Sequence, residues 1–323
     1  MKKTIVILTA VMLIICGCNS GNMKDKGTGQ KNDAQAITGT ISVEGAEIII
    51  PLMNKWKQGV EKEHPGIKVI IKAANSDKSL KNVSEEKIKM AMLSYNPAEN
   101  ETTKNLWVVP VARDAVVPVI SFDNENIQKI VLAGVTKDKL AGAFTGKIKT
   151  WGQLLGVQSN APIEICKVYD SSGTSRTMAD FLKVPAKGIT GSMVYNENDI
   201  INMVAANKNA IGYCSMTKVY DLNTGFLKRN IMVLPVDLNS NHQADDNELV
   251  FDKFDDVKNA VGSGKYPSPP VRTLYLALKS VPTDAATVSF LKWILTAGQN
   301  NCPEYGFVSL STAETSVYLK QLK

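Results

Sequence analysis

From Ile37 onward, short apolar runs typical of strands alternate with longer stretches whose apolar residues recur at helical spacing. The runs that predict strands are ITGTISV, IKVIIKA, WVVPVA, AVVPVIS, IEICKVY, AIGYCSM and PPVRTLYLAL. Helices are predicted from Pro51, over residues 78–88, in VTKDKLAGAF, from Thr174, and in TDAATVSFLKWILTAGQNN. This alternation predicts an α/β protein with a mostly parallel sheet.

The helix from Pro51 has the clearest pattern. Proline suits a first helical turn, and Leu52, Trp56 and Val60 recur at intervals of four, which gives one apolar face. The His-Pro-Gly sequence that follows would end the helix. Thr283 or Asp284 would cap the last long helix.

Composition narrows the classes of protein that fit. The chain has 323 residues, 44% hydrophobic and 21% charged, which is enough to bury a large core in what are usually two domains. The formal charge of +6 is small for this length, so no nucleic-acid partner is expected.

The start of the chain, MKKTIVILTAVMLIICGC, is basic, then apolar, then small, and predicts an export signal. Its apolar run over residues 4–15 is shorter than the roughly 20 residues that span a bilayer, so a retained transmembrane helix is the weaker alternative. The polar residues that follow predict a flexible tether over residues 18–36.

The tetrad Ile-Cys-Gly-Cys at residues 15–18 resembles a bacterial lipobox. The resemblance implies that residues 1–17 are a lipoprotein signal peptide and that Cys18 carries the lipid, which would anchor the protein to the membrane. A plain secretory signal with two incidental thiols is the alternative.

Three further cysteines, Cys166, Cys214 and Cys302, have no CxxC spacing and are too few for a disulfide scaffold. We expect buried apolar thiols. A disulfide between Cys166 and Cys214 stays open as an alternative.

Two segments join a strand end to a helix start through small residues. They are Gly45-Ala46-Glu47 before Pro51, and Ser171-Ser172-Gly173-Thr174 before an apolar helix face. Helix N-termini carry unpaired N–H groups and favour negative charge, and ligands of open α/β sheets bind at the carboxyl ends of strands. Both segments therefore predict an anion site, although ordinary helix capping would need the same residues.

Catalytic and metal-binding patterns are not found in the sequence. The chain has two histidines, His64 and His242, and neither is placed to activate Ser172; no SxxK or GxSxG motif frames that serine. HExxH and clustered Cys and His spacings are also missing. We therefore expect no enzyme activity, metal or cofactor, with a serine hydrolase at Ser172 as a remote alternative.

Six segments together resemble the phosphate-binding proteins of bacterial phosphate ABC transporters, which are periplasmic-type solute-binding proteins. They are GAEIIIPLMNKW, VTKDKLAGAFTGKIKTWGQL, YDSSGTSRTMADFL, AIGYCSM, KYPSPPVRTLYLAL and FLKWILTAGQNNCPEYGFVSLS. The resemblance covers about residues 41–310 and keeps the family's order.

The resemblance implies a two-lobed fold of type II, each lobe a mixed sheet flanked by helices, with two hinge crossovers. Lobe 1 would contain residues 37–121 and 271–323, and lobe 2 residues 122–270. Inorganic phosphate would bind between the lobes and be passed to ABC transporter permease subunits. The implied location is extracytoplasmic, lipid-anchored in the periplasm or at the cell surface.

The family's binding residues carry over unevenly. The opening turn maps to Gly45, Ala46 and Glu47, where the last two replace hydroxyl residues and leave backbone N–H groups. The remaining matches are the hydroxyl residues Ser76 and Ser94 and the anion loop Ser172, Gly173 and Thr174.

Two departures concern charge. Lys89 stands where the resemblance places an aspartate that accepts the phosphate proton, and Val168 where it places an arginine that forks onto the anion. We hypothesise that Lys89 supplies the missing cation and Glu47 a replacement acceptor; a solvated surface lysine is the alternative. Sulfate or molybdate binding, or a sensor or adhesin that has lost phosphate binding, also stay open.

Overall fold

The computed structural model describes residues 36–97, 103–268 and 270–323 and contains the predicted alternation of strands and helices. The strands are β1 Thr38–Gly45, β2 Gly66–Ala73, β3 Met90–Leu93, β4 Trp107–Ser121, β5 Val135–Thr136, β6 Glu164–Val168, β7 Ser192–Val194, β8 Ala210–Ser215, β9 Ile231–Val233, β10 Val236–Asp237 and β11 Val271–Leu278. The helices are α1 Ile50–Glu63, α2 Ser76–Ser84, α3 Ile127–Ala133, α4 Lys137–Phe144, α5 Trp151–Leu155, α6 Gly173–Leu182, α7 Glu197–Ala206, α8 Met216–Val219, α9 Phe254–Gly262, α10 Ala285–Leu295 and α11 Thr312–Leu319.

Nine strands form one mixed sheet, in the order β2-β1-β3-β11-β4-β8-β6-β7, with β9 paired to β4. The pairs of β1 with β2 and β3, and of β6 with β7 and β8, are parallel. Strand β4 is antiparallel to β11, β8 and β9, and β11 is antiparallel to β3. The sheet is therefore mixed, as the fold class implied by the resemblance requires, and the mostly parallel sheet predicted from the alternation of strands and helices is wrong.

The buried side chains form two large cores. The first core lies around β1, α1 and α10, and α1 buries Leu52, Trp56 and Val60 as its spacing predicts. The second core lies around β8, α6 and α7. Residues Ala36–Lys323 belong to one compact unit.

Strands β4 and β11 run from one core to the other, and we call them the hinge strands. On β4 the buried side chains change core between Ala112 and Ala115, and β11 passes from Val271, packed on the second core, to Leu274 in the first. The predicted lobe boundary after residue 121 falls at the far end of β4, and the division into lobes stays a prediction.

The hinge strand β4 corrects one expectation. WVVPVA and AVVPVIS were expected as two strands, and the charged Arg113 and Asp114 lie between them. They form one strand of 15 residues, because each charge has a partner. Arg113 pairs with Glu314, and Asp114 pairs with Arg272 directly across the strand pair.

The predicted caps and thiols agree with the structure. Asp284 caps α10 by accepting the N–H of Thr287 at 3.0 Å. Cys166, Cys214 and Cys302 are free and buried, so the alternative of a Cys166–Cys214 disulfide does not hold. Burial raises the pKa of the Cys166 thiol to about 11, which keeps it protonated and unreactive at neutral pH.

Residues 237–248, a polar segment that follows β9, form a loop that two buried carboxylates stabilise. Asp237 and Glu248, 1% and 3% exposed, each accept two backbone N–H groups of the loop. Polar residues at 237, 239, 241, 245 and 248 have the spacing of the ligands in a calcium-binding EF-hand loop, but His242 stands where that loop requires glycine. However, the described residues contain no group of three or more Asp, Glu, His or Cys side chains placed to hold a metal ion.

The predicted signal peptide, the predicted lipidation site Cys18 and all of the predicted tether except residue 36 lie outside the described residues. Among the helices of the described ranges, none has the length and apolar character needed to cross a membrane.

Gly45 joins the end of β1 to the opening turn at a backbone angle that disfavours other residues. Its φ is +148°, and a Cβ added there would lie 2.1 Å from the carbonyl oxygen of Met92 on β3. The strands can approach this closely only because the side chain is missing.

We predict that Gly45→Ala lowers the free energy of unfolding by about 3 kcal/mol or more, since both the backbone angle and the contact with Met92 are strained. Gly225→Ala is the control, because Gly225 also has positive φ but faces open space; it should cost about 1 kcal/mol. Urea unfolding measures both. Equal losses of unfolding free energy in the two variants would show that the close contact between β1 and β3 at Gly45 does not contribute.

Candidate functional site

One cavity lies where the carboxyl ends of β1, β3 and β6 meet the N-termini of helices, and we call it the central cavity. Its volume is about 90 Å³. Pockets for drug-sized ligands are about 300–1,000 Å³, so this one suits a small ion. Seven of the nine predicted ligand residues line it: Ala46, Glu47, Ser76, Ser94, Ser172, Gly173 and Thr174.

The anion loop supplies the N-terminus of α6. Ser172 caps this helix, since its Oγ accepts the N–H of Ser175 at 3.0 Å. The backbone N–H groups of Gly173 and Thr174 have no hydrogen-bond partner among the described residues. The first turn of α6 therefore presents free donors, and the positive end of a helix dipole, to the cavity.

The opening turn supplies a second set of donors. Residues Glu47–Ile49 form a 3₁₀ turn that continues into α1, and no side chain caps it. The Ala46 N–H donates to Met92 O at 2.9 Å, whereas the N–H groups of Glu47 and Ile48 find no acceptor in the described part of the chain. Backbone groups therefore remain available where the family resemblance expects hydroxyls.

Two serines on the first-core side carry free hydroxyls. Ser76 begins α2, whose cap is the preceding Asn75, and Ser94 follows β3. They are 7% and 5% exposed, and neither hydroxyl has a partner within the described ranges. Both serines line the cavity, so their hydroxyls can donate to water or to a bound acceptor there.

The two sides of the cavity meet closely at Gly173. A Cβ at this position would lie 1.9 Å from Ser94 Oγ and 2.9 Å from Ser94 O. Glycine is therefore required at this position of the anion loop, and any larger residue would force Ser94 and the loop apart.

Three charged residues line the cavity: Glu47, Glu197 and Lys218. Val168, at the position where the resemblance expects an arginine, is 2% exposed and forms an apolar part of the wall. Burial raises the pKa of the Tyr169 hydroxyl, and the negative charges of Glu47 and Glu197 raise it further. The carboxylates of Glu47 and Glu197 thus lie near the Tyr169 hydroxyl, and Lys218 is the cation among the described lining residues.

Lys89 does not reach the cavity. It precedes β3 while Ser94 follows it, so the strand rise puts the two residues roughly 16 Å apart. The Lys89 side chain is 54% exposed and lies 3.3 Å from Asp284. Its position therefore gives no support to the hypothesis that it supplies the missing cation. Gly45 is the other predicted residue that does not line the cavity. It lies at the end of β1, directly before the opening turn.

Several lining residues were not predicted as ligands. Lys218 follows β8, so the rule that ligands bind at carboxyl ends of strands points to it. Glu197 begins α7, and no sequence motif marks it. The lining residues outside the prediction are Ile48, Ala74, Asn75, Val168, Tyr169, Ser171, Tyr195, Asn196, Glu197, Asn198 and Lys218.

A polar contact joins the two sides at the rim. Arg176 Nη2 of α6 donates to Asp77 Oδ2 of α2 at 2.5 Å, and its guanidinium lies 4.5 Å from the centre of the Tyr95 ring. The Tyr95 hydroxyl also donates to Asp77. Burial and the bond to Asp77 raise the Tyr95 pKa. We call Arg176, Asp77 and Tyr95 the rim contact.

The model for the PBP superfamily domain matches residues 30–297, most of the chain. The chain belongs to the PBP superfamily. This PBP chain is 26% identical over 229 residues to the phosphate-binding protein PstS of Bacillus subtilis, covering 68% of this chain and 73% of that one. It is 23% identical over 330 residues to PstS of Staphylococcus epidermidis, covering 99% and 91%.

Solved structures agree with the fold. The structure of a phosphate ABC transporter substrate-binding protein with bound phosphate from Clostridium perfringens superposes with a TM-score of 0.65 at 20% identity, covering 84% of the PBP chain and all of that protein. A phosphate transport receptor from Vibrio cholerae gives 0.63 at 17% identity, covering 84% of this chain and all of that one. The resemblance stated from sequence is thus confirmed for the family and for the periplasmic-binding-protein-like fold.

We predict that Arg176→Ala shifts this PBP chain toward a more open form, because it removes the rim contact between the two sides. The ion pair is partly exposed, so the expected change is modest, about 1 kcal/mol or less, and smaller in high salt. Small-angle scattering with and without salt measures it. Lys208→Ala, which breaks the Lys208–Glu125 pair away from the cavity, should leave the radius of gyration unchanged.

Proposed function

We propose that this chain is an extracytoplasmic solute-binding protein that captures inorganic phosphate in the cleft between its two lobes. The observation that carries the proposal is the convergence of unpartnered donors on one ion-sized cavity. These donors are the hydroxyls of Ser76 and Ser94 and the free N–H groups of Glu47, Gly173 and Thr174. A set of donors in this arrangement binds an oxyanion.

The lining charges favour phosphate over sulfate and molybdate. Phosphate at neutral pH carries at least one proton, and that proton can be donated to Glu47 or Glu197. Sulfate and molybdate carry no such proton, so they would face these carboxylates as bare anions. The names of the relatives, which are phosphate-binding proteins, support the same choice.

Capture would close the lobes around the ligand. Ser76, Ser94 and Glu47 are on the first-core side, and Gly173 and Thr174 on the second, so the ligand's hydrogen-bond shell is complete only when both sides meet. The hinge strands would permit the movement. The proposed lobes are residues 37–121 with 271–323, and residues 122–270.

Transport would follow from the location of the protein. The proposed signal peptide would export the chain, a lipid on Cys18 would hold it at the membrane, and residues 18–36 would tether the folded body. The closed form would then present the ligand to the permease subunits of an ABC transporter. No chemical step is needed, and neither histidine lines the cavity to activate Ser172.

The test of function is calorimetric titration of residues 19–323 with phosphate, sulfate and molybdate. We expect phosphate to bind at least about tenfold more tightly than the other two, because only its proton satisfies a carboxylate acceptor. Tighter binding of sulfate or molybdate would move the function to another oxyanion. Flat titrations with all three would favour a sensor or adhesin.

Ser94→Ala tests whether the unpartnered donors of the central cavity bind the anion. We predict a loss of phosphate affinity of about tenfold or more, because an anion loses one hydroxyl donor, with little change in thermal stability, because that hydroxyl has no protein partner. The control is Ser309→Ala, whose hydroxyl donates to Gln299 O at 2.8 Å away from the cavity. It should lower the melting temperature and leave affinity intact. The reverse pattern would argue against an anion at Ser94.

A further inference from the structure

A closed ring of hydrogen bonds lies directly behind the anion loop. The ring includes Arg272 on β11, which lies opposite Asp114 on β4 in the pair of hinge strands. The guanidinium donates to Asp114 Oδ2 through Nη2 at 2.7 Å and Nε at 3.2 Å. Both side chains are buried, at 4% and 0% exposure, so the pair is shielded from solvent.

The ring runs from the hinge strands to the ligand cavity and back. Arg272 Nη1 donates to Thr174 Oγ1 at 3.0 Å, and Thr174 donates to Glu197 Oε1 at 2.5 Å. The N–H of Ser215 donates to Glu197 Oε2 at 2.7 Å, and Ser215 Oγ donates to Asp114 Oδ1 at 3.0 Å. Thr174 and Glu197 line the central cavity, so the ring links the hinge strands to the cavity wall.

Arg272 determines what the Thr174 hydroxyl can do. A guanidinium only donates, so the bond from Nη1 fills an acceptor position on Thr174 Oγ1. The hydroxyl hydrogen must therefore point away from Arg272, to Glu197 or into the cavity. Donation from a cation also polarises the hydroxyl and strengthens it as a donor.

We infer that Arg272 is a positioning residue for the anion and acts on it through the hydroxyl of Thr174. The inference rests on the proposed function and adds to it the source of positive charge behind the loop. Val168 stands where the resemblance places an arginine, and Arg272 reaches Thr174, in the first turn of α6, from the hinge strands. An anion in the cavity competes with Glu197 for the hydrogen of Thr174.

A purely structural role for Arg272 leads to a different expectation. If Arg272 only stabilised the hinge strands, replacing it would lower the stability of the protein, and its effect on anion affinity would be the same with or without the Thr174 hydroxyl. If Arg272 acts through Thr174, the two residues are coupled in affinity. A double-mutant cycle on phosphate affinity separates the two cases.

The experiment uses Arg272→Lys, Thr174→Val and the double variant. Lysine keeps a charge for Asp114 but cannot hold Asp114 and Thr174 together as the planar fork does. We expect each single variant to lose about tenfold in phosphate affinity and the double variant to lose no more than either single one. Additive losses, or unchanged affinity in Arg272→Lys, would overturn the inference.

Two controls keep the result interpretable. Arg113→Lys makes the same change at the neighbouring residue, which pairs with Glu314 outside the ring, and should not alter affinity. Should Arg272→Lys fail to fold, Arg272→Gln combined with Asp114→Asn replaces the ion pair by a neutral one, and Asp114→Asn alone is its reference for the same cycle.

The proposed function and the inference fail separately. A wild-type chain that does not bind phosphate refutes the function. The positioning role is then read from amide hydrogen exchange of Ser175 and Arg176 without ligand, since both amides bond to Ser172 in the first turn of α6. Arg272→Lys should speed their exchange and Arg113→Lys should not; equal exchange would overturn the positioning role.

Discussion

The buried pair of Asp114 and Arg272 is the interaction on which the arrangement of the two cores depends. It lies on the hinge strands near the point where the side chains of one core give way to those of the other. Burial raises the pKa of Asp114, and Arg272 opposes that shift. Removing one partner of such a pair typically costs about 3–5 kcal/mol, because the other charge stays buried alone. The pair thus stabilises the hinge strands at the point where the described residues change from one core to the other.

The balance of charge at the cavity is close. Each helix N-terminus stabilises an anion by about 0.3–1 kcal/mol, whereas a carboxylate about 6 Å away repels a unit negative charge by roughly 3 kcal/mol at an effective dielectric constant of about 20. Three such N-termini therefore offset one carboxylate at most, and only at the upper end of that range. With Glu47 and Glu197 both in the lining, the result depends on Lys218 and on whether the ligand can donate a proton.

The sequence predicted those parts of the fold and site that depend on local chemistry. The periodicity of α1 and the cap of α10 were clear, and Ser172, Gly173 and Thr174 were found because a strand end, a small-residue turn and a helix start are adjacent in the chain. Family resemblance added Ser76 and Ser94, which no local pattern marks as neighbours of the anion loop.

The rest of the site depends on contacts between distant segments. Arg272 and Asp114 are 158 positions apart, and only the register of β4 with β11 brings them together. The same charges hid the continuity of β4, because a buried ion pair looks like a strand break in a hydrophobic pattern. Lys89 was assigned from the family resemblance, and that match did not show that the residue lies at the end of β3 opposite to Ser94.

The location of the cation changes how closure and binding are related. An arginine in the anion loop, at the position of Val168, would move with that loop and keep the same distance to the ligand at any hinge angle. Arg272 instead belongs to a hinge strand, between Val271 on the second core and Leu274 in the first, so a rotation between the two cores would change its distance to Thr174. If the hydroxyl of Thr174 is a strong donor only when Arg272 is in reach, the site gains its full attraction for an anion only in the closed form. Closure and affinity would then be linked through the hydrogen bond between Arg272 and Thr174. An arginine in the loop would not provide that linkage.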